Sequence, residues 1–225
     1  MDVMRPEDVA LLLRTSGTTS TPKGVPLRQG QLIRNGLLLA GTLQLTKHDV
    51  ALNVMPLFHI GGLSASILAT LAVGGQVTCM SAFEPSHFFA ALAGNSYGGS
   101  KGTQDGPRPT WYSAVPTIHV AVLNYLHAAT IDHSNEVGKA SKSGIPTNNL
   151  RFIRSGAAAL SPQDAQDLSQ AFGGLPIWST YSMSEQMPIS QPPAFMNPKV
   201  HMFDKEGSVG EDSFNSWNVP TDSAS

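Results

Sequence analysis

Apolar residues fall in short runs broken by glycine and proline, and the runs alternate between helical and strand spacing. Val9-Ala10-Leu11-Leu12-Leu13 predicts a buried strand over Val9 to Arg14. Leu32, Ile33, Leu37, Leu39, Leu43 and Leu45 broadly follow a helical period and predict a helix from Arg28 to Leu45. Gly36 and Gly41 weaken that helix by about 1 kcal/mol each relative to alanine. Further strands are expected over Val50 to Met55, Gln76 to Met80, Thr110 to Val115, Leu150 to Arg154 and Pro176 to Ser182. Helices are expected between them, over Leu63 to Val73, Pro85 to Ala93, Pro116 to Ala129 and Pro162 to Phe172. Pro85, Pro116 and Pro162 suit a first helical turn, and Ser161 suits an N-cap.

This alternation argues for an α/β fold, a largely parallel sheet with flanking helices. Ligand sites in such sheets lie outside the carboxyl ends of the strands. Four segments follow strands and are expected to converge at one edge: the loop after Arg14, Pro56 to Gly62, the turn at Gly156, and Ser182 onward. Gly61 and Gly62 follow the pair Phe58-His59, which suggests backbone that approaches something closely. Gly94 to Pro109 and Ile131 to Asn149 lack an apolar period and read as surface insertions. Beyond Ser190 the chain is proline-rich and irregular. No internal repeat and no linker stands out.

Composition narrows the function classes. The 225 residues are 41% hydrophobic, enough for a sizeable core, and carry a formal net charge of -2. That charge gives no argument for nucleic-acid or anionic-membrane partners. The single cysteine, Cys79, excludes an internal disulfide, fits a reducing compartment and reads as core. The acidic, proline-broken N-terminus is no signal peptide. No apolar stretch reaches the roughly 18 residues of a membrane span, and the C-terminus is not Ser-Lys-Leu. A cytoplasmic location is expected, with a peroxisomal one still open for a longer parent chain. The sequence leaves the oligomeric state open.

The chemistry concentrates in Thr15 to Gly24, which reads Thr-Ser-Gly-Thr-Thr-Ser-Thr-Pro-Lys-Gly. Successive backbone N–H groups in a glycine-containing turn form a concave anion site, and hydroxyls add donors. Lys23 supplies a point charge for phosphate. The segment is not a Walker loop, because Lys23 is followed by Gly24 rather than Ser or Thr. It resembles the phosphate-loop signature of the adenylate-forming superfamily: acyl-CoA synthetases, luciferases and peptide-synthetase adenylation domains. The usual family loop has Gly where this chain has Ser20.

Tyr181-Ser182-Met183-Ser184-Glu185 resembles a second family segment, in which Thr is commoner than Ser at the position of Ser184. The resemblance implies that Tyr181 lies against adenine beside Ser182, that Ser184 reaches the α-phosphate, and that Glu185 holds Mg²⁺. Thr15, Ser16, Gly17, Thr18, Thr19 and Lys23 would hold the β- and γ-phosphates. Gly156, Ala157 and Ala158 match the family's small-residue turn, whose backbone borders adenine and the acyl group. His59 falls where the family often places a residue beside the carboxylate pocket. Trp111 to His119 and Leu150 to Gly156 look closest to acyl-CoA synthetases of the small-acid and oxalate type.

The implied activity is an acid–thiol ligase that uses ATP, Mg²⁺ and a small carboxylic acid, with coenzyme A as co-substrate. Lys23, Ser184, Glu185 and His59 would be its catalytic residues. The resemblance runs to about Gly210, so residues 1–210 read as a partial AMP-binding domain and 211–225 as an unstructured tail. The family's ribose-binding aspartate, hinge and C-terminal domain with its lysine have no counterpart, and neither does its usual N-terminal region. The chain is therefore expected to be a fragment that is not fully active alone. A nucleotide-binding remnant without turnover remains a second reading. A P-loop kinase or NTPase is a third, opposed by Gly24 and by the lack of an Asp-ended apolar strand.

Overall fold

The computed structural model describes residues 4–15, 22–95, 106–131, 149–191 and 211–212. Its centre is a parallel sheet of β3 (Val50–Asn53), β4 (Gln76–Cys79), β5 (Trp111–Ala114), β6 (Phe152–Ser155) and β7 (Ile177–Ser179), in the order β4-β3-β5-β6-β7. The fold class expected from the alternation is the one observed.

Period 2 explains the sheet's two cores. On β3, β5 and β6 every residue is buried, because both faces are covered. Leu52, Tyr112, Ile153 and Ile177 point to one face, where they meet Phe88, Val122 and Leu168. These three come from α3 (Pro85–Leu92), α4 (Pro116–Ile131) and α5 (Pro162–Ala171). Ala51, Trp111, Phe152 and Trp178 point to the other face. There Phe152 stacks between Trp111 at 5.3 Å and Trp178 at 4.1 Å, an aromatic row across β5, β6 and β7. Leu39 and Leu43, at the inner face and end of α1 (Gln29–Thr42), and Ala65 of a π-helical segment (Gly61–Leu68) cover that row. The π segment continues as α2 (Ala69–Ala72).

Caps and close approaches follow local chemistry. Ser161 accepts a hydrogen bond from the Asp164 amide at 3.0 Å, with Pro162 in the first turn of α5, as expected. Gly36 is tolerated inside α1 because a Cβ there would lie 3.2 Å from the Leu68 carbonyl, where two helices pack. At the amino ends of the strands, Asp49 accepts from Thr110 Oγ1 at 2.7 Å, the Thr46 amide at 2.8 Å and Arg151 Nε at 2.9 Å. Burial pushes the Asp49 carboxyl upward, but these bonds outweigh it and hold the group below its ordinary range. That network ties β3 to the starts of β5 and β6, leaving the carboxyl ends for other uses.

Several expectations are corrected. Gly24–Arg28 is a strand, β2, and pairs antiparallel with β1 (Val9–Arg14), so α1 begins only at Gln29. Val25 and Leu27 face inward and Pro26 outward, where a strand with a free edge tolerates proline. Pro176 to Ser182 is not one strand. The chain leaves the parallel sheet after Ser179, and β8 (Tyr181–Met183) turns back on β9 (Gln186–Gln191) in a separate antiparallel sheet. Glu211–Asp212, at the start of the expected tail, forms β10 against β9. Cys79 is exposed, because β4 is the edge strand rather than an inner one. Among the described residues no helix is long and apolar enough to cross a membrane.

Candidate active site

At the carboxyl ends of β3, β5 and β6 the sheet opens into a cavity of about 330 Å³. It is lined by Met55, His59 and Gly61 after β3, Ser113 to Val115 at the end of β5, Arg154, Gly156 and Ala157 around the end of β6, and Ser182 to Ser184 with Met187. Five residues expected at the site are thus brought together: His59, Gly156, Ala157, Ser182 and Ser184. His59, Gly156 and Ala157 meet because parallel strands end at the same level and their following loops share one edge, and Ser182 and Ser184 join them from β8 and the turn after it, which follow β7.

Each loop is shaped locally. The His59 amide donates to the Pro56 carbonyl at 3.2 Å and the Gly62 amide to the His59 carbonyl at 3.1 Å, a tight turn into the π segment. A Cβ on Gly62 would stand 2.5 Å from the Pro56 carbonyl oxygen. The close approach expected of the glycine pair is therefore real at Gly62, and its partner is the chain's own backbone. Gly61 has nothing among the described residues within 4 Å of a Cβ position and lines the cavity instead. Gly156 is buried, with Thr180 Oγ1 3.3 Å from a Cβ position, and Ala157 adopts φ 68°. An alanine in the left-handed region stores strain of about 1–2 kcal/mol, typical of backbone held for a purpose.

Ser184 and Glu185 form the turn between β8 and β9. The Gln31 side chain on α1 donates to the Glu185 carbonyl at 2.5 Å and fixes that turn against the helix. Ser184 is half-buried, while Glu185 and Tyr181 are exposed and stand outside the cavity lining. Among the described residues the Glu185 carboxylate has no hydrogen-bond or ion-pair partner. An exposed carboxylate beside a hydroxyl offers the hard oxygen donors that Mg²⁺ would take. Ala158 is exposed next to the cavity.

The expected phosphate loop joins two antiparallel strands rather than a strand and a helix. Its base is closed by the Thr15 amide donating to the Lys23 carbonyl at 3.0 Å and the Lys23 amide donating to Thr15 Oγ1 at 3.3 Å. Lys23 is exposed, and neither it nor Thr15 lines the cavity. Ser16, Gly17, Thr18 and Thr19 lie outside the described residues.

Two residues escaped the sequence reading. Gln31 carried no signal, since a polar residue in a helix is ordinary. Arg154 did carry one, as a charge at the carboxyl end of an apolar strand. It is 2% exposed, and its Nη1 and Nη2 donate to Ser113 Oγ at 3.1 Å and Thr180 Oγ1 at 2.8 Å.

Residues 1–215 match the AMP-binding enzyme family. The chain belongs to that family. It is 36% identical over 211 residues to the oxalate–CoA ligase of Arabidopsis thaliana, covering 93% of this chain and 35% of that protein. It is 34% identical to the sulfoacetate–CoA ligase of Cupriavidus necator, covering 93% and 35% of the two chains. Among solved structures, a malonyl-CoA ligase complex with methylmalonyl-CoA and AMP superposes with a TM-score of 0.72 at 29% identity, covering 94% of this chain and 39% of that one. The chain thus spans about a third of the length of these curated relatives.

Proposed function

We propose that this chain carries the acid- and nucleotide-binding part of an AMP-forming acid–thiol ligase. The observation that supports this most is the convergence of His59, Gly156, Ala157, Ser182 and Ser184 on one cavity at the carboxyl edge of a parallel sheet. In this reading a carboxylate oxygen attacks the α-phosphorus of ATP, the bond to the bridging oxygen breaks, and pyrophosphate leaves. A thiol, coenzyme A by likeness to the oxalate–CoA and sulfoacetate–CoA ligases, then takes the acyl group and releases AMP.

The chain's own residues supply positioning and charge stabilisation, which dominate such a step. Lys23, with Thr15 and the hydroxyls of Ser16, Thr18 and Thr19 around Gly17, receives the β- and γ-phosphates. Ser184 donates its hydroxyl to the α-phosphate. The ring of Tyr181, 52% exposed and free to stack, covers adenine against the backbone of Gly156, Ala157 and Ala158. Glu185 would hold Mg²⁺, which supplies charge neutralisation at the phosphates. His59, at the cavity mouth with Phe58 packed 4.8 Å from its ring, shields the reacting carboxylate from water.

Product analysis tests this. Purified protein with ATP, Mg²⁺ and a panel of short carboxylic acids should bind nucleotide and release pyrophosphate in an acid-dependent way, even if only once per site. ADP as the product, or no binding of ATP by calorimetry, would overturn the reading.

A further inference from the structure

Arg154 is a buried cation with no counter-ion among the described residues. Among the described residues no carboxylate pairs with it, and its acceptors are two neutral hydroxyls that are themselves buried, Ser113 and Thr180. Its Nε has no acceptor among the described residues. Burial pulls the guanidinium down to about 10, which leaves it charged at neutral pH. A charge is not kept in a protein interior without pairing or use, because its desolvation is large and hydroxyl dipoles return only part of it. Guanidinium carries five donors in a planar fork suited to a carboxylate or sulfonate. The fork here has spare donors, and the residue lines the cavity that also holds His59, Ser113 and Ser184.

We propose that Arg154 receives the second acid group of a short dianionic substrate, a dicarboxylate or a sulfocarboxylate, whose other carboxylate is the one activated. The proposal rests on the ligase reading. Two observations point to a small diacid rather than to a nucleotide phosphate. The residues read as meeting the adenine ring, the β- and γ-phosphates and the metal stand outside the cavity, Tyr181 52% exposed and Lys23 and Glu185 exposed as well, while Ser184, read as meeting the α-phosphate, lines it where the activated carboxylate must also sit. Arg154 is 2% exposed, so only a small group that enters the cavity reaches it. A long aliphatic or aromatic acid would instead press hydrocarbon against an unpaired cation, which is unfavourable.

Calorimetry on the 225-residue chain in low-salt, phosphate-free buffer tests this, with oxalate, malonate and sulfoacetate against acetate and propionate. The unaltered protein should bind the dianions roughly tenfold or more tightly than the monoanions, as a charge-assisted bidentate contact requires. Arg154→Met should abolish that preference while its melting temperature stays level or rises, because an uncompensated buried charge has gone. Should Arg154→Met not fold, Arg154→Lys, which keeps the charge without the fork, must show a reduced preference. Equal affinity for both acid classes in the unaltered protein, or binding of neither, overturns the proposal. So does a preference unchanged in the variants. Parallel titrations with AMP and adenosine separate the other anion source: loss of AMP binding in the variants with the diacid preference kept would assign Arg154 to the nucleotide and overturn the proposal. Failure of the unaltered chain to bind ATP would refute the ligase reading and is measured separately, because the diacid titrations contain no nucleotide.

Discussion

The side-chain amide of Gln31 donates to the backbone carbonyl of Glu185 at 2.5 Å, joining residues 154 positions apart. One end of this bond is the first turn of α1 and the other is the turn that carries both Ser184 and Glu185. A single neutral hydrogen bond of this kind is worth about 1 kcal/mol. Gln31→Ala should therefore weaken Mg·ATP binding about fivefold, with little change in melting temperature. Equal affinities for Gln31→Ala and the unaltered protein would show that the turn holds itself.

The same turn carries Glu185, the residue proposed to hold Mg²⁺. Glu185→Gln keeps the shape and the backbone bond to Gln31 but removes the hard anionic ligand that Mg²⁺ prefers. Nucleotide affinity should then no longer rise with Mg²⁺, while binding of AMP without metal is preserved. A Mg²⁺ titration that superposes on the unaltered one would mark Glu185 as a surface carboxylate.

Much of this architecture was legible because it follows from local rules. The strands and helices of the parallel sheet came from apolar period, and the start of α5 from Ser161 and Pro162. The convergence of His59, Gly156 and Ser184 came from the rule about strand ends. What escaped was set by tertiary pairing. Gly24 to Arg28 holds only two inward apolar residues, Val25 and Leu27, too few to announce a strand without β1 beside it. The break at Thr180 was hidden because β7 and β8 are continuous in apolar and aromatic content. It arises where the Thr180 amide bonds the Ser155 carbonyl at 2.9 Å and its hydroxyl accepts from Arg154. Cys79 was misplaced because strand order, which makes β4 an edge, is not written in the strand itself.

Lys23 offers a test of the loop that closes on Thr15. Its ammonium is exposed and unpaired among the described residues, so removing it should not disturb the hairpin. Lys23→Ala should weaken ATP binding by roughly 1.5–3 kcal/mol, about tenfold to a hundredfold, with AMP affected less. Calorimetry with both nucleotides checks this, and equal losses for ATP and AMP would remove Lys23 from the β- and γ-phosphates.

Gly62 tests the His59 loop. A methyl group there would sit 2.5 Å from the Pro56 carbonyl oxygen and 2.9 Å from that of Met55, and backbone cannot swing aside as a side chain does. Gly62→Ala should destabilise the protein by about 1–3 kcal/mol and shift the His59 loop at the cavity mouth. Gly61→Ala, which has open space, should cost only the few tenths typical of a tolerated change. Chemical denaturation of the two variants makes the comparison, and equal stabilities would contradict the geometry.

His119 sets a pH window for stability. It is fully buried on α4, with its Nδ1 3.4 Å from the Tyr112 hydroxyl and, among the described residues, no hydrogen-bond partner for Nε2. Burial holds it down to about 4, against a smaller upward pull from the backbone carbonyls of Ala114 and Arg154. In the unfolded chain it titrates near 6.5. Between those values the unfolded state binds a proton that the folded state refuses, so stability falls as the pH falls. The stabilisation is fully present above about pH 6.5 and is lost as pH drops toward 4, by an amount on the order of 3 kcal/mol. Asp49, whose carboxyl is held below its ordinary range, acts at lower pH and does not share the window. Urea denaturation at pH 7 and pH 5 should show the loss in the unaltered protein and a clearly smaller one in His119→Gln, whose amide cannot take up the proton. Identical pH slopes in the two proteins would place the acid sensitivity elsewhere in the chain.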